Sequence, residues 1–267
     1  MNEFAKHKAM VERTLSVLKE KQAGELTHTL LTLFKMIYAD LQSAVIGNPI
    51  EHHPVVLGHM MEIAKEEKSP YIPFRRAAAL ALLHDVSPVE KITTQMVADF
   101  RKKSPEKADA LELKRQQNRI LHMREGCAIA HRRMLQLNES TGRVVFDAGD
   151  IDAVCEVIRI HDNPSLDIPI PRTNWLAVAF READRLWMIT EEGILADLRR
   201  KGKDLNDPAL YLAQLNSNVE RFKDERSLYR PIESTEGPFC DDETFFRTKG
   251  GYKIFLRLLK EGGERYS

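Results

Sequence analysis

His84 and Asp85 stand side by side at the end of an apolar run, Ala77-Ala78-Ala79-Leu80-Ala81-Leu82-Leu83. An imidazole and a carboxylate at consecutive positions can both reach one cation when the helix end lies beside it. A carboxylate has two oxygens, so Asp85 can also bridge two cations. Further donors of the same kinds lie on separate segments: His53, His122, His161 and Asp184. Imidazole and carboxylate ligands without thiolate suit Fe, Mn, Mg, Ni, Co or Zn, and a histidine-rich set leans towards transition metals. One or two divalent ions held this way would bring the pKa of a bound water towards ~7 and polarise an anionic substrate.

The first ligand has three contenders, because His52, His53 and His59 lie on or beside one segment. From His53, the positions at helical spacing are Leu57, Met60, Met61 and Ala64, an unbroken apolar face. His52 leads to Val56, His59, Met60 and Ile63, which is nearly as good, whereas His59 leads to Ile63 but also to Glu66 and Glu67. We take His53, with His52 next. The middle ligand is contested as well. His131 shares a face with Cys127, Met134 and Leu135, and periodicity slightly prefers it; His122 precedes Gly126 in a run of small residues that would let two helices approach closely. We take His122. His161 closes Val154-Cys155-Glu156-Val157-Ile158-Arg159-Ile160 much as His84 closes its own run. Asp184 is a charge among apolar neighbours, expensive to bury unless it meets a cation or hydrogen-bond donors. Alone, His161 reads as a helix cap and Asp184 as a partner of Arg181 or Arg185; beside His84-Asp85 both read as ligands.

Those residues need a rigid frame, and the chain has the length for one. It has 267 residues, 43% hydrophobic and 30% charged, the make-up of a globular protein with a sizeable core. Lys plus Arg and Asp plus Glu both number 40, so net charge points to neither nucleic acid nor an anionic membrane. The longest apolar run, seven residues, falls far short of the ~20 needed to span a bilayer. The charged start Met-Asn-Glu-Phe-Ala-Lys-His-Lys lacks an apolar signal segment, and Cys127, Cys155 and Cys240 read as free thiols; together they suggest a cytoplasmic protein.

Helical periods dominate. Residues 2–20 and 25–46 read as amphipathic helices, the second with Leu30, Leu31, Leu33, Phe34, Ile37 and Leu41, a stripe expected to pack on the core while leaving homodimerisation open. A third helix is predicted from Pro54 to Glu67, then a turn through Pro70 and Pro73, then the buried helix that ends in His84-Asp85. A long polar helix should cover 106–137, and Thr141–Phe146 a loop or small hairpin. Helices follow at 151–161, 174–189, 191–201, 207–226 and 242–261, the last with an acidic start, with Gly250-Gly251 able to interrupt it and with Phe245, Phe246, Tyr252, Phe255 and Leu256 for docking. The expectation is an all-α bundle: an N-terminal helical extension over 1–48, a metal-binding core over 49–203 and C-terminal helices over 204–267.

The pattern His53…His84-Asp85…His122…His161…Asp184 resembles the HD superfamily of metal-dependent phosphohydrolases over about residues 50–200. Local context agrees: His53-Pro54-Val55-Val56-Leu57 is similar to that family's first helix, Ala81-Leu82-Leu83-His84-Asp85-Val86 to its signature, the segment from His122 to Gly126 to its third segment, and Ala183-Asp184-Arg185-Leu186 to its last. The resemblance implies a metal held by His53, His84, Asp85 and Asp184, with His122 and His161 holding a second ion or assisting proton transfer. It further implies hydrolysis of a small phosphorylated substrate, such as a nucleotide, with Asp85 as the bridging carboxylate that holds the activated water. Many relatives carry lysine three residues after the doublet's aspartate; here that position is Pro88, and Lys91 is the candidate replacement, with Arg185 and Arg124 as further phosphate partners. No Gly-Tyr-Pro signature is present, so cyclic-dinucleotide hydrolysis is not indicated. Two other uses of such a site remain open: a di-iron oxygenase resembling myo-inositol oxygenase, and a catalytically silent sensor or interaction module.

Overall fold

In a computed structural model, residues 2–16, 23–43, 49–224 (apart from 69, 91, 93, 167, 169 and 172) and 246–264 are described. The described residues form helices and no strands. In chain order these are α1 (Glu3–Ser16), α2 (Ala23–Ser43), α3 (His52–Glu67), α4 (Phe74–Leu83), α5 (Thr94–Lys103), α6 (Pro105–Thr141), α7 (Ala148–Ile160), α8 (Trp175–Leu186), α9 (Glu191–Arg200), α10 (Pro208–Asp224) and α11 (Lys249–Glu264). The all-α expectation holds, and no described helix is long and apolar enough to cross a membrane.

The apolar run before His84 explains the centre of the bundle. Every residue from Ala77 to Leu83 is fully buried, so this stretch of α4 has no solvent face and must be wrapped. It packs on α2, α3, α7 and α8, and three of those neighbours carry the remaining site histidines and Asp184 or abut the segments that do. One apolar core runs from Val11 in α1 to Leu258 in α11. Within it the α2 stripe is buried at Leu30, Leu33, Phe34, Ile37 and Leu41.

Local sequence sets the helix ends. Asp147 caps α7 by accepting from the Asp150 backbone N–H, and Asn174 and Thr190 do the same for α8 and α9. α6 opens on Pro105 and closes at Gly142, whose φ of 65° is the left-handed cap conformation. The segment after it is a loop, not a hairpin: the Asn138 amide accepts from the N–H groups of Val145 and Phe146 and donates to the Phe146 carbonyl.

Several boundaries differ from expectation for physical reasons. α3 begins at His52, two residues before Pro54, because a proline in the first turn removes only an N–H that has no helical partner. α5 was not anticipated; Ser104-Pro105 separates it from α6, and its basic last turn of Arg101, Lys102 and Lys103 is set against the helix dipole. The final helix starts at Lys249, so Gly250-Gly251 opens it and does not interrupt it. Their lack of side chains is required there: a Cβ on Gly250 would lie 2.8 Å from Ile63 Cα, and one on Gly251 would run into Glu182 Oε2. Phe246 and Phe255 dock on the body as expected, whereas Leu256 is exposed. Phe245 and the acidic stretch 241–243 lie outside the described residues.

Candidate metal centre

The candidate ligands come from helix ends and one helix middle. His52 is the first residue of α3; His84 and His161 cap the C-termini of α4 and α7; Asp184 lies in the last turn of α8, and His122 projects from the middle of α6. Two clusters result, either of which could hold a metal ion: His52, His84 and Asp184, and Asp85, His122 and His161. In the first, His52 Nε2 lies 3.0 Å from both His84 Nε2 and Asp184 Oδ1, and His84 Nε2 lies 3.6 Å from Asp184 Oδ1. In the second, Asp85 Oδ1 lies 3.0 Å from His122 Nε2 and 3.5 Å from His161 Nε2. The other oxygen of Asp85 is 3.7 Å from His84 Nε2, so this one carboxylate faces both clusters.

The hydrogen positions of two rings follow from their partners. His84 Nδ1 donates to the Ala81 carbonyl at 3.0 Å and His161 Nδ1 to the Ile158 carbonyl at 2.7 Å. A carbonyl only accepts, so in each neutral ring the hydrogen is on Nδ1 and the Nε2 lone pair points at the cluster. That arrangement is the one metal-ligating histidines adopt. Burial drives the His84 ring down to about 4 against the pull of Asp85, so it carries no second proton at neutral pH. Asp184 would be raised by burial, but the hydrogen bond and charge of His52 bring it down to about 2. Lone pairs and carboxylate oxygens therefore converge with few hydrogens among them, an arrangement that fits a divalent cation. His52 Nδ1 is buried without a hydrogen-bond partner, which leaves this ring held chiefly through its cluster side. Aromatic rings close the back of the site: Trp187 meets His52 edge-on at 5.2 Å between centroids, and Phe180 lies 4.9 Å from His84.

The structure thus brings together five of the six expected ligands and replaces His53 by its neighbour. His53 lies behind the site, its Nδ1 3.4 Å from the Ala81 carbonyl and its ring 5.0 Å from that of His84, with burial holding its pKa well below the ordinary value. His59 donates to the Ala183 carbonyl at 3.1 Å and ties α3 to α8. His131 is exposed and turned away, lining a shallow groove with Leu135, Val144 and Phe146. A signal for His52 was present: the other ligands at helix ends put a premium on the first residue of α3, but that start was expected at Pro54. Of the phosphate candidates, Arg185 is half-buried beside Asp184 with Nη1 3.7 Å from Met188 Sδ. Arg124 is 74% exposed and 3.5 Å from Glu125, and Lys91 lies outside the described residues. Cys127 and Cys155 are free and buried, and Cys240 also lies outside the described residues.

The chain matches no protein-family model, no curated protein and no solved structure. The compatibility of the two clusters with an HD-like site therefore rests on their own geometry.

Proposed function

We propose that this chain is a metal-dependent phosphohydrolase of the HD type that cleaves a phosphate ester. The observation that carries the reading is Asp85, which turns one oxygen to His122 and His161 and the other to His84. On this reading His52, His84 and Asp184 would hold one divalent ion and Asp85, His122 and His161 a second, with Asp85 facing both clusters. Bound there, such ions would supply Lewis acidity and a water acidified towards ~7.

The protein's own groups then have defined work. His84 and His161, with Nδ1–H tied to backbone carbonyls, present fixed lone pairs and need no reorganisation on binding. Asp184 has a side chain 28% exposed, against 8% or less for the other five, so substrate approaches along its side. Arg185 adjoins it and can meet an incoming phosphate. Trp187 and Phe180 exclude water from the rear, which strengthens every charge interaction with the phosphoryl oxygens.

The test is elemental analysis of anaerobically purified protein, followed by phosphate release from a panel of phosphomonoesters and nucleotides with and without dioxygen. Bound metal with oxygen-independent phosphate release supports the reading. Iron with oxygen consumption and no phosphate release would replace it by the oxygenase, and no metal after reconstitution would remove the site.

A further inference from the structure

One face of α6 carries Arg115, Arg119 and His122, spaced four and three residues apart, and turns them to the segment that follows α7. The two arginines are used differently. Arg115 grips both oxygens of Glu112 and donates to the Ser165 carbonyl, so it serves local structure. Arg119 has a side chain only 15% exposed and donates through Nη1 to Asp162 Oδ2, while its Nε is buried with no hydrogen-bond partner. That same Asp162 oxygen lies 3.9 Å from His161 Nε2. The guanidinium therefore stands one carboxylate away from the second cluster.

We propose that Arg119 is the anchor for a terminal oxygen of the substrate's phosphoryl group, and that the substrate is a phosphomonoester. This rests on the phosphohydrolase reading. A planar guanidinium with an unused, desolvated N–H matches an oxyanion better than it matches water. A monoester dianion has three terminal oxygens, enough to face both clusters and still give one to Arg119. A diester has two, and would leave the guanidinium without its share.

The experiment is calorimetric binding of inorganic phosphate and of dimethyl phosphate to manganese-reconstituted protein, with metal content measured on every sample. Wild type should bind phosphate more tightly than dimethyl phosphate. Arg119→Gln should weaken phosphate binding by about tenfold or more at unchanged metal content, with little effect on dimethyl phosphate, and Arg119→Lys should recover part of the loss. If Arg119→Gln does not fold, the lysine variant carries the comparison, since it keeps the charge and loses the fork. Full phosphate affinity in the variants would overturn the anchor and leave the phosphohydrolase reading standing. Loss of metal in Arg119→Gln would also overturn it, reducing Arg119 to a support for Asp162. Metal-loaded wild type that binds no phosphate would overturn the underlying reading itself.

Discussion

His84 and His161 are oriented by the same local device: each caps a helix and donates Nδ1–H to the carbonyl three residues before it, Ala81 or Ile158. Their rings stand 5.9 Å apart, and their Nε2 atoms face opposite oxygens of Asp85. With the hydrogens committed to the backbone, lone pair faces carboxylate on both sides. A cation between them would turn repulsion into attraction. Binding should therefore stabilise the fold through mass action, by about 2.7 kcal/mol at a free ion concentration a hundred times Kd. For a chain of this size that is a rise in Tm of roughly 5–10 °C. Thermal unfolding of chelated protein with and without added Mn checks it, and coincident curves would count against a metal centre.

His52 and His53 are neighbours with opposite expected behaviour. His52→Ala removes a donor from the first cluster and should lower metal stoichiometry. His53→Ala empties a buried site behind His84 and should leave stoichiometry intact while lowering stability by about 2–4 kcal/mol. Metal analysis and denaturant titration of the two variants separate the effects; retention of full metal by His52→Ala would restore His53 as the ligand.

That pair also marks how far the sequence is legible. The apolar run into His84-Asp85 announced the most buried helix of the bundle, and an all-α fold followed from helical periods along most of the chain. Periodicity put His53 only slightly ahead of His52 because α3 is buried against α1, α4, α8 and α11, so both rings sit on apolar faces. For the middle ligand periodicity was misleading. His131 shares its side of α6 with Met134 and Leu135, yet Leu135 is 40% exposed and the apolar face there is a surface groove. α5 has only ten residues and a basic tail, too short for a period to emerge. Arg119 in α6 and Asp162 in the turn after α7 meet although 43 positions apart, which no local pattern records.

His59 gives the chelated protein a pH dependence. It is buried, and desolvation lowers its pKa to about 4, whereas the unfolded chain titrates near ~6.5. Between those values the unfolded state binds more protons than the folded state, so stability rises with pH. The contribution is fully present above ~6.5 and is lost as pH falls towards about 4, a difference on the order of 3 kcal/mol. Urea midpoints of the chelated protein from pH 7.5 down to about 4.5 should fall, and less steeply in His59→Gln, which cannot be protonated. Parallel profiles would show that His59 is not a source of the acid sensitivity.

Asp85 and His161 distinguish a shared carboxylate from two separate sites. If Asp85 joins both clusters, Asp85→Asn removes the one anionic group that faces each, and both ions should bind roughly a hundredfold or more weakly. His161→Ala takes a donor only from the second cluster, so one ion should remain on His52, His84 and Asp184. Neither change should alter helical content. α4 keeps its run of fully buried residues from Ala77 to Leu83, and the change at His161 removes one edge-on ring contact with Phe180. Metal-to-protein ratios at several free-ion concentrations, with circular dichroism as the control for folding, give the answer. A variant Asp85→Asn that loses only one ion would mean that its two oxygens serve one cluster, and that His84 and Asp184 hold the other with His52 alone.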